Sequence, residues 1–313
     1  MHEDRPSSTA TLIAAATVFL ARDARVSDLV PSGAAEWCAR CLEVLSRLKT
    51  VDTVSHPALR WAARLAERAS VPGLLLHFML RKRWIEEAVR AALTEACGQV
   101  VVIGAGFDTL ALRLSREFPR VSFIEIDHPA TQKYKRLAGE RGGATANLHF
   151  IAADLSCVRL QDALSGGAYR RDRRSAFVIE GLLMYLTDAE VGGVFTALRE
   201  LQRAGGRVAF TVMEPAPGGH SAFHNATPLV KRLLSRWSEP FKSALSRDDA
   251  ARFLEPFGFR IRNFAGAETL RERYLAPSGR QNLALAKGEM IVLADCYEQG
   301  IPGSPVTPSS TWR

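Results

Sequence analysis

The chain has 313 residues, 47% of them hydrophobic and 24% charged, which is enough apolar sequence to bury a large core in one large domain or two small ones. Its formal net charge is +8, and the basic residues, mostly arginine, are spread along the chain, which excludes a single basic arm. The longest apolar stretch near the start, residues 12–21, is too short to cross a bilayer, and acidic residues precede it where a secretory signal carries positive charge. We therefore expect a cytoplasmic protein with no membrane partner.

The first third of the chain carries helical periodicity and almost no strand signal. The pattern predicts three helices, over residues 6–22, 34–48 and 74–93. Residues 1–95 are thus predicted to form a helical extension in front of a larger domain over residues 96–313. The last of the three helices would bring Arg81 and Arg83 towards the strand that follows.

Five cysteines form an odd set without a framework pattern, which suits a reducing compartment. Cys38 and Cys41 have the Cys-x-x-Cys spacing of a metal ligand pair. A zinc site would need a second pair or nearby histidines, so we expect both to be small buried apolar residues and predict no metal.

From residue 99 onward, apolar runs alternate with helical patterns. The predicted strands cover residues 99–103, 121–126, 148–152, 176–180, 207–212 and, as a final pair, 260–264 and 289–296. Such alternation predicts a mainly parallel sheet with helices on both faces. A ligand of this sheet lies beyond the carboxyl ends of the strands, where Gly104, Asp127, Asp154 and Glu180 fall.

Residues 215–245 interrupt this alternation with Pro-Gly-Gly, a helical stretch and two histidines, His220 and His224. An insertion at this place stands above the ligand crevice, so we predict a lid. Helix starts are predicted on either side of it, by the capping-box spacing of Thr187-Asp-Ala-Glu and the weaker Ser246-Arg-Asp-Asp.

The turn after the first strand reads Gly104-Ala-Gly-Phe-Asp-Thr. A Gly-x-Gly turn lets the backbone approach a ligand closely, and the next helix offers free N–H groups. The second strand ends in Asp127, about 20 residues on, where a ribose-binding carboxylate belongs. Together these features predict a nucleotide-like cofactor.

The sixth position of the turn distinguishes between cofactors. A dinucleotide fingerprint has Gly or Ala there, whereas this chain has Thr109, preceded by Asp108. An acid inside the loop repels a diphosphate, but S-adenosylmethionine carries a sulfonium and an ammonium and no phosphate. S-adenosylmethionine is therefore the predicted cofactor.

Four stretches of the chain resemble the leucine carboxyl methyltransferase family, which has many bacterial members. Arg81-Lys-Arg-Trp-Ile-Glu is similar to the family's Arg-Thr-Arg-(aromatic)-(aromatic)-Asp segment, and the glycine turn is similar to its Gly-Ala-Gly-Leu-Asp-Thr loop. Glu125-Ile-Asp-His-Pro is similar to Glu-Val-Asp-x-Pro, and Glu180-Gly-Leu-Leu-Met-Tyr-Leu to Glu-Gly-(apolar)-(apolar)-x-Tyr-Leu. The four stretches span about residues 80 to 190.

The resemblance implies a class I methyltransferase-like Rossmann sheet, mostly parallel with an antiparallel last strand, and an S-adenosylmethionine-dependent O-methyltransferase. It implies that Arg81 holds the methionine carboxylate, although the alignment within residues 81–83 can shift between the two arginines. The other implied cofactor contacts are the loop residues Gly104, Ala105 and Gly106, the ribose acid Asp127, the adenine neighbours Asp154 and Leu155, and Glu180 under the amino-acid end.

Several of these residues have a simpler structural interpretation. Arg81 and Arg83 could solvate a helix face. Asp108 could contact the cofactor, cap the following helix, or do both. His128 follows the ribose acid directly; it is a candidate cofactor contact, and its main role is expected to be structural. Tyr185 could either pack in the core or contact the reacting groups.

The acceptor decides which further groups are needed. A carboxylate acceptor is already ionised at neutral pH and needs no base, but an arginine such as Arg83 should orient it. A hydroxyl acceptor needs a general base, for which His128, His220 and His224 are candidates. We expect a carboxylate-bearing small molecule.

Two other classes of function stay open at this point: a nicotinamide-dependent oxidoreductase on the same sheet, and a catalytically silent cofactor-binding module. Nucleic acid is not an expected partner. Methyltransferases that act on the amino groups of bases often carry Asp/Asn-Pro-Pro-aromatic after the fourth strand, where this chain has Glu180-Gly-Leu-Leu, and it has no basic run interleaved with aromatic residues.

Overall fold

The computed structural model describes residues 6–45, 57–202, 205–216, 222–227 and 241–296. Its first part is helical. The helices are α1 (Ser8–Ala21), α2 (Ala34–Leu45), α3 (Pro57–Ala69) and α4 (Leu74–Thr94). Within the described residues 6–45 and 57–95 the structure contains no strand, in agreement with the sequence.

The rest of the chain alternates strands and helices. The strands are β1 (Gln99–Ile103), β2 (Ser122–Asp127), β3 (Leu148–Ala152), β4 (Ser175–Ile179), β5 (Gly206–Met213), β6 (Phe259–Ala265) and β7 (Glu289–Cys296). The helices of this part are α5 (Leu110–Glu117), α6 (Pro129–Arg141), α7 (Leu160–Ala163), α8 (Asp188–Leu201), α9 (Arg247–Leu254) and α10 (Ala267–Leu270).

All seven strands form one sheet in the order β3-β2-β1-β4-β5-β7-β6. Strands β1 to β5 pair in parallel, and β7 runs antiparallel to both of its neighbours, β5 and β6. The predicted mostly parallel sheet with an antiparallel last strand is confirmed. Predicted and observed strand ends differ by at most one residue.

Both faces of the sheet are buried. Since successive side chains of a strand point to opposite faces, neighbouring residues of one strand belong to different cores. Val100 and Val102 belong to the core that contains α4 and α5, and Val101 and Ile103 to the core that contains α8. A strand buried on both faces reads as a continuous apolar run, which is why the sequence located β1 so closely.

The helix starts on either side of the predicted lid are confirmed. Thr187 and Glu190 form a complete capping box at α8, and the Ser246 side chain caps α9. Most of the predicted lid, including His220, lies outside the described residues. The described stretch 241–246 crosses the carboxyl ends of β4 and β5, where the Lys242 N–H donates to the Met184 carbonyl (2.8 Å) and the Leu245 N–H to the Met213 carbonyl (2.8 Å).

Helix α1 packs directly on the glycine turn. The Ser7 N–H donates to Thr131 Oγ1 of α6 (3.1 Å), and a Cβ added to Gly106 would lie 3.1 Å from the Ala10 Cβ. Cys38 and Cys41 are buried beneath this contact in an apolar cluster, as expected for small core residues. No described helix is long and apolar enough to span a bilayer.

Candidate functional site

The predicted site residues meet at one edge of the sheet. Gly104, Asp127 and Glu180 lie at the carboxyl ends of β1, β2 and β4, which are adjacent strands. The chain order reverses between β1 and β4, and ligands of open α/β sheets bind at such a switch point. The fold therefore assembles residues that are up to 76 positions apart in the sequence.

The glycine turn is held against β2 by its own N–H groups. Gly104 and Gly106 adopt φ values of 68° and 49°, a region that glycine enters without steric cost. The Gly104 N–H donates to the Ile126 carbonyl (2.9 Å), and the Gly106 N–H donates to Asp127 Oδ2 (2.5 Å). The turn and the predicted ribose acid thus form one unit, with the buried Ala105 between the two glycines.

Asp127 is mostly enclosed at this edge. Burial raises the pKa of its carboxyl group, while the Gly106 hydrogen bond and the Lys135 charge oppose that rise. A carboxylate has two oxygens, so Asp127 can accept from the loop and from a ligand hydroxyl at the same time. This geometry suits the predicted ribose contact.

Asp108 has the helix-start role that the sequence allowed for it, while its contact with the cofactor stays a prediction. Its Oδ1 accepts the Leu110 N–H at the start of α5 (2.6 Å), and its Oδ2 forms an ion pair with Lys82. Burial raises the pKa of Asp108, but the charges of Lys82 and Lys135 outweigh it and hold this pKa well below its usual range. The acid in the loop is therefore ionised and fixed in place.

Arg81 lies in the interior, which excludes the interpretation as a solvated helix residue. Its guanidinium, 3% exposed, contacts Glu180 Oε1 through Nε (2.9 Å) and Nη2 (2.7 Å), and Glu289 Oε1 through Nη1 (2.6 Å). Glu289 Oε2 lies 2.9 Å from His77 Nε2, and both of these side chains are fully buried. Burial raises the pKa of Glu289, but Arg81 and His77 more than compensate and lower it to about 2.

Lys82 links the glycine turn to the end of β4. Its Nζ pairs with Asp108 and lies 3.0 Å from Glu180 Oε1. Burial lowers the pKa of Lys82, but the charges of Asp108 and Glu180 outweigh this effect, so the pKa of Lys82 is raised above its ordinary value. With Arg81 and Glu289, these groups form what we call the acid-rich cluster: two cations and three carboxylates with a formal charge of −1.

A second buried ion pair lies behind the glycine turn. Lys135 Nζ is 2.8 Å from Glu125 Oε2 and 3.4 Å from the Ala105 carbonyl oxygen, and both side chains are fully buried. Burial raises the pKa of Glu125 to about 7 in spite of the lysine. Lys135 thus connects the turn, through the Ala105 carbonyl, with β2, through Glu125.

Arg83 is not brought to this site. Residues two positions apart on a helix point in nearly opposite directions, so Arg83 leaves α4 on the side away from Arg81. Its guanidinium is 39% exposed, stacks over Tyr274 (5.1 Å to the ring centre) and contacts the Asp28 carbonyl (3.2 Å) and Glu87 (3.8 Å). The expectation that Arg83 orients the acceptor is thus not supported by its position.

The residues predicted to flank ribose and adenine lie beside one another. His128 Nδ1 accepts the Ala130 N–H (3.2 Å) and caps α6, which is the structural role expected for it. Its Nε2 lies 3.6 Å from Asp154 Oδ2. Asp154 also accepts from the Ser156 N–H (3.0 Å), which shapes the turn that carries Leu155.

Tyr185 and His224 lie on the side of the described 241–246 stretch. The half-buried Tyr185 ring is 5.6 Å from the Phe241 ring, so packing accounts for part of its role. His224 Nε2 lies 3.4 Å from the Glu214 carbonyl oxygen, and its ring occupies the space above Gly288. The structure therefore places His224 near the end of β5.

Four residues that contact the predicted site residues were missed in the sequence: His77, Lys82, Lys135 and Glu289. Glu289 carried a usable signal, because an acid at the first position of an apolar strand has the same need for a partner as Asp127 at the last. Lys82 departs from the threonine of the family pattern. His77 and Lys135 carry no local signal of comparable strength.

The sheet order, the reversed β7, the glycine turn after β1 and the acid at the end of β2 define a class I S-adenosylmethionine-dependent methyltransferase. The chain belongs to the leucine carboxyl methyltransferase family, which residues 10–199 match. The site fits the cofactor in its charge, because the acid-rich cluster has an excess of negative charge for a sulfonium and an ammonium.

Curated relatives carry names that agree with this assignment. YktD of Bacillus subtilis, named as an S-adenosyl-L-methionine-dependent methyltransferase, is 21% identical over 220 residues, which cover 70% of this chain and 70% of that protein. A protein of Mycobacterium bovis with the same type of name is 30% identical over 204 residues, covering 64% and 66% of the two chains. Another mycobacterial protein, 29% identical, is matched over only 50% of its length.

Among solved structures, magnesium protoporphyrin IX methyltransferase from Synechocystis, with S-adenosylhomocysteine bound, is similar with a TM-score of 0.45 and 12% identity over 70% of this chain and 85% of that one. An O-methyltransferase family protein from Burkholderia thailandensis gives a TM-score of 0.47 and 13% identity over 71% and 57%. At this level the likeness adds nothing to the family assignment.

Proposed function

We propose that the protein transfers a methyl group from S-adenosylmethionine to the carboxyl group of a small molecule. The observation that carries the proposal is the acid-rich cluster beside the glycine turn, with Glu180 at the end of β4 and its charge shared by Arg81 and Lys82. Family membership supports the carboxyl acceptor. All five cysteines are unpaired, which fits a reducing compartment such as the cytoplasm.

The cofactor would lie along the carboxyl edge of β1, β2 and β4. Asp127 would accept from the ribose hydroxyls, and Asp154 and Leu155 would flank the adenine. Glu180, 10% exposed, would face the ammonium of the methionyl part, and Arg81 would contribute to holding its carboxylate. When bound, the cofactor supplies an electrophilic methyl group on a sulfonium.

Methyl transfer of this kind is an in-line displacement, so the protein's task is to align the acceptor and exclude water. A carboxylate acceptor needs no base, and the described histidines near the site have other roles: His77 contacts Glu289, His128 caps α6 and His224 contacts the Glu214 carbonyl. Tyr185, which follows Glu180 in the chain and packs on Phe241, would line the acceptor side.

Calorimetry with S-adenosylhomocysteine tests the cofactor site. Asp127→Asn should weaken binding by about tenfold or more, because a hydrogen bond to a charged group contributes about 1.5–3 kcal/mol. The matched control is Asp172→Asn, at a carboxylate that is exposed and remote from the turn. Equal affinity in folded Asp127→Asn and wild-type protein would refute the ribose contact, and binding of NAD(H) instead would refute the class of cofactor.

The acceptor is tested by a screen of carboxylic acids and phenols, with mass detection of a single added methyl group. Methylated acids support the proposal. Methylated phenols alone would replace the carboxyl acceptor by a hydroxyl one, and a protein that binds the cofactor but modifies neither class would favour a silent binding module.

A further inference from the structure

We propose that a cavity beside the carboxyl end of β5 binds an apolar group of about the size of a benzene ring. The cavity has a volume of about 150 Å³ and lies between β5, α8 and α9. Its walls are the side chains of Val191 and Phe195 on α8, Phe210 and Val212 on β5, and Phe253 on α9. These five residues are separate from those that form the cofactor edge.

The aromatic walls are fixed by their own packing. The Phe195 ring centre is 5.1 Å from that of Phe210 and 5.6 Å from that of Phe253, and both pairs meet edge to face. Phe195 and Phe210 are fully buried. A ligand ring beside these three would find partners for the same favourable edge-to-face contacts.

The lining of the cavity favours an apolar occupant over water. Protein interiors are packed as densely as organic crystals, and apolar cavities of this size stay dry and bind benzene-sized molecules. Among the described residues that line the cavity, the polar side chains are Asp188 and Ser243. Ser243 Oγ already donates to the Leu183 carbonyl oxygen (2.9 Å), and a buried water requires several polar partners.

The cavity shares a covering segment with the predicted acceptor side. Residues 243–245 line the cavity and belong to the stretch that crosses the carboxyl ends of β4 and β5. At the start of the same stretch, the Phe241 ring packs on Tyr185 (5.6 Å between ring centres). An acceptor beside Tyr185 would therefore lie close to the cavity.

The charge at the cavity fixes the direction in which an acid enters. Asp188, the first residue of α8, is the charged residue among the described lining residues, and it is exposed to solvent. Its carboxylate repels another carboxylate, and the described lining residues include no cation. An acid must therefore enter with its apolar end and leave its carboxyl group outside. Assigning the bound group to the acceptor rests on the proposed function, whereas the cavity itself does not.

Fluorine NMR of fluorobenzene measures binding to the cavity without the cofactor. We expect saturable binding to the wild type. Val191→Phe places a ring in the same space and should weaken this binding by about tenfold or more, because the ligand loses its apolar burial. Leu137→Phe adds bulk at an exposed position of α6 and should leave the affinity unchanged. If Val191→Phe does not fold, Val191→Leu fills part of the space and should weaken binding in the same direction.

Two acids that differ only in the ring identify the source of the bound group. Hydrocinnamic acid should displace fluorobenzene, whereas propanoic acid should not. With S-adenosylmethionine present, the wild type should methylate hydrocinnamic acid in preference to propanoic acid by about tenfold or more, and Val191→Phe should lose this preference. If hydrocinnamic acid leaves fluorobenzene bound, the cavity takes a separate small apolar molecule, and its assignment to the acceptor is wrong.

The proposal is overturned if fluorobenzene shows no saturable binding to the wild type, or if folded Val191→Phe binds it equally well. Saturable binding of fluorobenzene by a protein that methylates no acid would support the cavity as a binding site and contradict the proposed function instead.

Discussion

Arg81 Nη1 lies 2.6 Å from Glu289 Oε1, and this contact joins α4 to the first residue of β7 across 208 positions of the sequence. Both side chains are buried, and Glu289 also contacts His77, one helical turn before Arg81. Arg81 is thus held in position by β7, which is the last strand of the sheet in chain order. A cofactor site at the end of β4 depends on β7 being in place.

The first prediction concerns this contact. Glu289→Gln should lower the free energy of unfolding by about 3 kcal/mol, because removing one partner of a buried ion pair leaves a poorly compensated charge. Glu36→Gln, which removes an exposed partner of Arg40 on α2, should change it by less than about 1 kcal/mol. Urea unfolding at neutral pH measures both. Similar small losses for the two variants would contradict the role of Glu289.

The second prediction gives the pH dependence of the same group. The pKa of Glu289 is lowered from an ordinary 4.5 to about 2 in the folded protein, so folding favours its ionised form. Its contribution to stability is therefore fully present above about pH 4.5 and is lost as the pH falls from there towards 2. The stability difference between wild type and Glu289→Gln should shrink as the pH is lowered through this window. A constant difference would argue against an ionised Glu289.

The third prediction has the opposite sign. Burial raises the pKa of Glu125 to about 7, so folding favours its protonated form, and its contribution is present below about pH 4.5 and lost as the pH rises through 7. As the pH rises from 5 to 8, the free energy of unfolding of Glu125→Gln should increase relative to that of the wild type, because only the wild type loses the contribution of Glu125. Glu140→Gln, at an exposed carboxylate on α6, serves as the control. Parallel stability curves for Glu125→Gln and wild type would refute the assignment.

The fourth prediction uses Cys157 as a reporter of the adenine side. Cys157 is the exposed cysteine of the five, and its Sγ lies 3.9 Å from Asp154 Oδ2. Burial raises the pKa of the Cys38 thiol to about 11 and that of Cys41 to about 12, which slows their alkylation. Iodoacetamide should therefore label Cys157 quickly and the buried cysteines slowly. The substitution Cys157→Ser should abolish the fast phase of labelling.

Saturating S-adenosylhomocysteine should slow the labelling of Cys157 several-fold if Asp154 and Leu155 flank the adenine. Intact-mass spectrometry over time provides the rate. An unchanged rate with bound ligand would place the adenine elsewhere.

The fifth prediction separates the two acceptor chemistries by the pH profile of turnover. A carboxylate with a pKa near 4 is ionised above about pH 5.5, so the rate should be flat from there upward. A hydroxyl acceptor with a histidine base would give a rate that rises near neutrality and is lost in His224→Ala or His220→Ala. The latter result would remove the carboxyl acceptor from the proposal.

The sequence by itself determined the sheet and most of the cofactor edge. Strands buried on both faces leave continuous apolar runs, and the residues that end them, Gly104, Asp127 and Glu180, are conspicuous because glycine and acids are unfavourable inside such runs. Helix caps were equally visible, since the Thr187–Glu190 box satisfies N–H groups within four residues. All of these signals are local.

Only the tertiary structure decided where each basic residue of the Arg81-Lys-Arg segment lies and which groups it contacts. In the sequence Arg81 and Arg83 are alternatives, whereas in the fold Arg81 is buried on Glu289 and Arg83 faces away towards Tyr274. Lys82, to which the sequence assigned no role, bridges Asp108 and Glu180. The physical reason is that an ion pair depends on distance in space. A partner 208 positions away leaves no local pattern, and a buried arginine has the same sequence signature as an exposed one.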